Sequence, residues 1–416
     1  MKMPFKSAAA LLGIALSMAF PSSGSCQNAE IQAEIFEVLG VLKSGLDEPT
    51  RTKLSNMEII VPNTLSFTHI GADVGTGGRR IISFNVGSYV RLVELGDAVF
   101  LTTAIIKNGE YLNGYVRYLA YADLMGKDLL TARQFAKYYG YADIDAKVNV
   151  LPVAAKSLAG SMKMTIIAFI LAHEIAHHVN DDPLNSDNAL PARRLREERA
   201  DRFAAELIAK LGMSPAIAAF SLLIFNELDS RNAAGEGSSN HPAGMKRTLH
   251  AVEYSVQYLR ENEAQVSAAL KDGMMGTSYE SLLAGSNTIL AMMREKAAKQ
   301  ENMDKDATAL RNSGIGGDRF SQLKIGELYL SGEWAEFPYS IDSAIYWYEV
   351  AANNQRKFDY FDDADANYRA GQIYGFSNEL KRDYAKACRY LKRSAGKSYS
   401  PGVHAFTLLL RGGKCT

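Results

Sequence analysis

Met164-Thr165-Ile166-Ile167-Ala168-Phe169-Ile170-Leu171-Ala172-His173-Glu174-Ile175-Ala176-His177 is an almost unbroken apolar run that closes on two histidines and a glutamate. Ile166, Ile170, His173 and His177 follow a 4-3-4 spacing, which on a helix is one stripe of one face. Positions 173 and 177 lie one turn apart, so their imidazoles can converge on one point, with Glu174 beside them. The plainer reading, histidines satisfied within a core, fits this setting poorly. Two imidazoles and a carboxylate on so apolar a helix are costly to bury without a partner, and a divalent metal is the simplest one. Histidine is scarce here, 7 in 416 residues, so the pattern is an unusual product of chance.

The segment downstream sharpens the reading. After a polar, Pro-containing loop from Asn180 to Pro191, Ala192 to Leu211 has helical composition, without internal Gly or Pro, and stops at Gly212 as a C-cap. Glu197 and Asp201 sit one turn apart on it. Glu197 is the expected third ligand, with Glu198 and Glu206 as competitors, and Asp201 the expected acceptor for the free N–H of a liganding histidine. The plainer reading is a set of surface carboxylates among Arg193, Arg194, Arg196, Arg199 and Arg202. Two histidines and one carboxylate leave a fourth tetrahedral position for a water whose pKa the metal lowers to ~7. Glu174 is then placed to take the proton of that water. A closed structural site would instead use four protein ligands, usually cysteines.

With His173-Glu174-x-x-His177 followed by Glu197-x-x-Ala200-Asp201, the chain resembles the gluzincin zinc peptidases. These include the HtpX heat-shock protease, the type I CAAX prenyl protease and the soluble BepA-like proteases. The resemblance implies one zinc per chain held by His173, His177 and Glu197, with Glu174 as catalytic base and Asp201 as orienting carboxylate. His241-Pro242 followed by Arg247 is similar to the family's His-Pro…Arg element. It implies His241 near the metal, stabilising an oxyanion or capping a resting state, and Arg247 binding substrate or bracing the site. On its residues alone, His241-Pro242 is a loop leading into a helix. The family's Asn-Ala-hydrophobic element has Phe84-Asn85-Val86-Gly87 as its nearest counterpart. His178 reads as structural, while His69, His250 and His404 carry no motif. The resemblance spans residues 40–260, with specific motifs in 173–201.

The chain carries 46 basic and 46 acidic side chains and is 47% hydrophobic, so two or three domains with a sizeable core are expected. Balanced charge without a Lys/Arg block argues against a nucleic-acid partner. Lys2 and Lys6, an apolar stretch from Ser7 to Phe20 and a small-residue exit from Pro21 to Ser25 describe a signal peptide, with cleavage before Cys26. This predicts a periplasmic or secreted protein. Cys26 is also a lipid-anchor position, although no Leu stands three residues before it. Cys388 and Cys415 are candidates for a disulfide in an oxidising compartment. No segment after the leader reaches ~18 uninterrupted apolar residues, so the 164–172 run is expected as a core helix and no transmembrane segment is predicted.

The expected fold class is α+β, mostly α: a zincin-like metallopeptidase domain with a small β-sheet, followed by a short α-helical repeat module. The expected division is a signal peptide at 1–25, the peptidase domain at 26–298, a linker at 299–312 and helical repeats at 313–416. Residues 28–56 read as helical. Arg80 to Asn85, Tyr89 to Leu95 and Ala98 to Thr103 read as strands, with Gly96-Asp97 as a hairpin turn and Ala98 to Thr103 as the edge for an extended substrate. A Tyr- and Ala-rich region follows from Tyr111 to Leu158. Met213 to Asn232 reads as a helix opened by Ser214-Pro215, and the Gly/Ser-rich Ala233 to Asn240 as a gating loop. Met245 to Ala298 reads as helical with a break at Gly273 to Gly276.

In the C-terminal part, the pattern around Leu323 to Gly332 and Asp342 to Ala352 recurs around Tyr368 to Gly375 and Asp383 to Ala395. This resembles Sel-one-like, tetratricopeptide-like repeats. Gly326 and Gly371 are 45 residues apart, longer than the usual period, so an insertion near Gln355 to Asp363 is implied. The expected activity is proteolysis of protein or peptide substrates, and the resemblance implies misfolded or stalled envelope proteins, with the repeats recruiting substrate or a protein partner. The rival is an adaptor or chaperone with a silent metal site.

Overall fold

The structure is a computed structural model that describes residues 24–64, 70–125, 129–182, 190–232, 244–272, 278–332, 334–355 and 359–415. Residues 1–23 of the expected signal peptide, the Cys26 side chain, the expected gating loop at 233–240, His241 and the expected break at 273–276 lie outside the described residues. The fold is α+β and mostly helical. It divides into two compact units, one of Met1–Lys107 and Thr131–Ala297, the other of Asn108–Leu130 and Ala298–Thr416. Residues 108–130, expected within the peptidase domain, thus group with the C-terminal unit.

The first unit opens with α1 (Gly24–Ser44) and α2 (Glu48–Lys53), which together make up the helical stretch expected at 28–56. Asp47 caps α2 by accepting from the Thr50 N–H at 2.9 Å, with Pro49 in the first turn. Gly45 before it sits where a Cβ would lie 2.8 Å from Leu207 Cδ1. Among the described residues three strands form the sheet: β1 (Glu58–Ile60), β2 (Ile70–Val74) and β3 (Arg80–Phe84), in the order β1-β3-β2. β1 pairs parallel and β2 antiparallel to β3, with Ile59 and Ala72 both opposite Ile82.

The strands expected at Tyr89 to Leu95 and Ala98 to Thr103 are absent, and Gly96-Asp97 is not a turn. One helix, α3 (Val86–Leu101), occupies this stretch, followed by a π-turn at Thr102–Ile106. Its start is fixed by Asn85, whose side chain accepts from the Ser88 N–H at 2.7 Å. Nearly every residue from Val86 to Leu101 is buried, Arg91 and Glu94 included, so the helix has no broad solvated face to mark a 3.6-residue period in the sequence. Gly96 is a packing glycine: a Cβ there would meet Lys163 Cγ at 2.7 Å and Cα at 2.8 Å. The expected substrate edge at 98–103 is therefore lost, and among the described residues β1 and β2 are the edge strands.

In the second unit begins α4 (Gly109–Ala120), whose Tyr111, Tyr115 and Tyr118 are buried packing residues. The first unit resumes with α5 (Ala132–Tyr138), α6 (Ile144–Asn149), α7 (Val153–Val179) and α8 (Leu190–Lys210). The helix expected at 213–232 is split into α9 (Pro215–Ala218) and α10 (Ser221–Asn232), with Ser214 capping α9. Then come α11 (Gly244–Glu261), α12 (Glu263–Asp272) and α13 (Tyr279–Lys305). α7 is the axis of this unit and packs on α3, α8 and β2. Among the described residues, Ala155–Val179 is long and apolar enough to cross a membrane by length and composition, and 72% of that window is buried inside the protein.

The expected linker at 299–312 is helical. α13 runs to Lys305, and α14 (Ala307–Ile315) starts after Asp306, whose side chain accepts from the Thr308 N–H at 2.7 Å. A polar composition suits a solvated helix face as well as a linker. α15 (Arg319–Ser331), α16 (Ile341–Ala352), α17 (Tyr360–Phe376), α18 (Tyr384–Gly396) and α19 (Ser400–Arg411) follow, each packed on its neighbours in sequence. Gly326 on α15 and Gly371 on α17 do equivalent work. A Cβ at the first would lie 2.4 Å from Tyr348 on α16, and at the second 2.7 Å from Leu391 on α18. Cys388 and Cys415 are joined by a disulfide.

Candidate metal centre

α7 carries the stripe that the sequence describes. Ile166, Ile170, His173 and His177 expose 0%, 3%, 4% and 8% of their surfaces, so both imidazoles are held inside the core. α8 brings Glu197 and Asp201 to them. His173 Nε2 lies 3.2 Å from His177 Nε2 and 3.3 Å from Glu197 Oε2, and His177 Nε2 lies 3.6 Å from Glu197 Oε1. One ligand atom from each of the three residues falls within 4.8 Å of the others. A tetrahedral site with bonds of about 2.1 Å sets its ligand atoms roughly 3.4 Å apart, so the three fit such a centre.

The outer nitrogens turn the three inner atoms towards one point. His173 Nδ1 lies 2.9 Å from Asp201 Oδ1, and His177 Nδ1 lies 2.9 Å from Asp182 Oδ2. Each carboxylate accepts the Nδ1–H, which leaves both Nε2 lone pairs facing each other beside a third acceptor, Glu197. Three acceptors in one buried spot repel unless a positive charge sits among them. With the chain alone, the Arg247 guanidinium meets part of that need, 3.2 Å from Glu197 Oε2. Burial by itself would lower the pKa of His173, yet hydrogen bonds to Asp201 and Glu197 outweigh it and raise the group to about 10. The donor set of two imidazoles and one carboxylate matches zinc.

Residues 152–268 match the family model Peptidase U49. The match indicates a peptidase family and supports a proteolytic function. Every residue of the centre lies within the Peptidase U49 span, which begins one position before α7. No curated protein and no solved structure matches the chain.

Arg247, on α11 and inside that span, is buried and braces the carboxylates. Its Nε lies 2.8 Å from Asp201 Oδ2, its Nη2 2.9 Å from Asp201 Oδ1 and 3.2 Å from Glu197 Oε2. This geometry is the bracing arrangement, one of the two roles that the resemblance implies for it. Burial alone would raise the Asp201 pKa, but the charge and hydrogen bonds of Arg247 hold it below the ordinary carboxylate value. The competing carboxylates are engaged elsewhere: Glu198 with Arg202 at 2.5 Å, and Glu206 with the Tyr254 hydroxyl. Glu174 is buried beside its neighbour His173 on α7.

His178 is structural. Its Nε2 lies 2.9 Å from the Ile81 carbonyl and ties α7 to β3, and burial lowers its pKa. Asp182 and Arg199 went unread in the sequence. Asp182 lies in the Asn180 to Pro191 segment that reads as a loop, and Arg199, which pairs with it, reads as one of several surface arginines. No spacing rule links an acidic residue beyond a helix end to a histidine five positions earlier.

Proposed function

We propose that this chain is an exported zinc-dependent endopeptidase of the gluzincin type that hydrolyses protein substrates, with its C-terminal helical unit recruiting substrate or a protein partner. The observation that carries the reading is the convergence of His173 Nε2, His177 Nε2 and the Glu197 carboxylate on one buried point, each histidine locked through its other nitrogen. Bound zinc supplies Lewis acidity and lowers the pKa of water towards ~7. Glu174 accepts the proton of the attacking water and returns it to the departing amine. Arg247 offsets the charge of the two carboxylates and holds them beside the histidines.

β2 is an edge strand among the described residues and packs against α7, and an extended peptide adds to the side of it that no described strand occupies. Recognition then rests mainly on backbone hydrogen bonds. Export is supported by the basic and apolar pattern of residues 2–25 and by the Cys388–Cys415 disulfide. The glycine-mediated close approaches at Gly326 and Gly371 favour a repeated helix pair of the Sel-one-like kind.

Metal analysis and digestion of an unfolded test protein, before and after chelation, test the reading. One zinc per chain is expected, with cleavage lost on chelation and restored by zinc. Glu174→Gln should keep the zinc and lose cleavage. Native protein without stoichiometric metal, and with none taken up on titration, refutes the metal reading. A Glu174→Gln chain that still performs its cellular role favours the adaptor.

A further inference from the structure

The end of α7 is built as a Schellman cap, and the cap carries a side chain into the metal centre. The Asp182 N–H donates to the His177 carbonyl at 2.9 Å and the Asp181 N–H to the His178 carbonyl at 3.4 Å, around the C-cap Asn180. The pivot is Asp181 at φ 50, a left-handed position that usually belongs to glycine. α8 ends in the same way, with the usual residues: Gly212 at φ 70 is the pivot, the Met213 N–H donates to the Ile208 carbonyl at 3.1 Å, and Met213 and Ile208 are both buried and apolar. At the end of α7 the corresponding pair is Asp182 and His177.

This substitution of a polar pair for an apolar one has a cost that needs a reason. The Asp182 side chain is only 2% exposed. One of its oxygens meets His177 Nδ1 at 2.9 Å, and the other meets Arg199 on α8, two residues beyond Glu197. Asp181 is held from outside, by Lys53 Nζ at 2.5 Å and Arg80 Nη2 at 2.9 Å, and Lys53 Nζ also lies 2.6 Å from the Val179 carbonyl. The turn is thus anchored to α2 and β3, while its inner carboxylate spans the two helices that supply the ligands.

We infer that Asp182 is a positioning residue of the metal centre: from the cap of α7 it fixes the tautomer and ring plane of His177, and through Arg199 it sets α8, and with it Glu197, at ligand distance. The inference rests on the zinc reading above. Asp182 touches no reacting atom, so its effect runs through ligand geometry. Asp201 does the same for His173, and each ligand histidine then has its own carboxylate.

The test uses the full chain and zinc affinity, measured by competition with a chromophoric chelator, together with the visible spectrum of the cobalt-substituted protein. Asp182→Ala is expected to weaken zinc binding about 10–100-fold and to alter the cobalt spectrum, with the isosteric Asp182→Asn between it and wild type. Asp181→Gly, which suits the left-handed pivot, should keep wild-type affinity. Far-UV circular dichroism of the cation-free variants reports folding, and if Asp182→Ala does not fold, Asp182→Asn decides. Wild-type affinity and an unchanged cobalt spectrum in folded Asp182 variants overturn the inference and leave the zinc reading standing. A wild-type chain that binds neither zinc nor cobalt overturns both.

Discussion

Arg247 faces two carboxylates, the buried Asp201 and the mostly covered Glu197, and its removal takes away their guanidinium counter-charge when no metal is bound. Arg247→Ala should therefore destabilise the cation-free protein by roughly 3–5 kcal/mol, read from urea unfolding. Arg247→Lys keeps the charge but loses the two-point contact with Asp201, so it should fall between the two. Equal stability of all three proteins would show that the guanidinium is not the counter-charge. At this scale the sequence is informative where chemistry is local. His173, Glu174 and His177 are legible because one helical turn is enough to place them. Choosing Glu197 over Glu198 and Glu206 needs the partners of the other two, Arg202 and Tyr254, which come from packing.

Helix contacts decide the element scale. Gly96 lets α3 lie against the backbone of Lys163 on α7, so Gly96→Ala should cost about 1–3 kcal/mol by overpacking, although alanine is the better helix former. A thermal midpoint at or above wild type would contradict this. α1 and α3 meet through Glu34 and the Tyr89 hydroxyl. Burial, helped by the charge of Glu37 and opposed by Lys163, raises the Glu34 pKa from 4.5 to about 7. The native state then keeps a proton that the unfolded chain has released, so this group's contribution to stability falls as pH rises between those values. Glu34→Gln should remove that slope, and its stability relative to wild type should grow across the window, by an amount on the order of 1 kcal/mol after solvent screening. No change in the difference between pH 4.5 and 7 would exclude Glu34 as the group. The strand reading of 89–103 fails for a related reason. A helix buried on nearly every face lacks the solvated stripe that would set it apart from short strands in the sequence.

Across the whole molecule, two compact units are built from interleaved pieces of chain, with residues 108–130 grouped with the C-terminal helices. Arg117 on α4 pairs with the buried Asp362 on α17 at 2.6 Å, a long-range contact that no local pattern announces. The Cys388–Cys415 disulfide closes a loop of sequence separation 27 within the C-terminal unit. Cys388→Ser should lower the stability of that unit by about 3 kcal/mol and leave the proposed zinc binding intact, measured by denaturant unfolding and metal titration side by side. Loss of both together would mean that the disulfide also supports the metal centre. The sequence by itself determined the ligand helix, the Glu197 helix ending at Gly212 and the mostly helical class, because helix geometry ties neighbours three and four apart to one face. Only the tertiary structure decided that 86–101 is a helix, that 299–312 continues helical, and that Asp182 reaches His177. Those outcomes depend on which surfaces cover a segment and on where a cap turns the chain, and neither is encoded in the spacing of the segment's own residues.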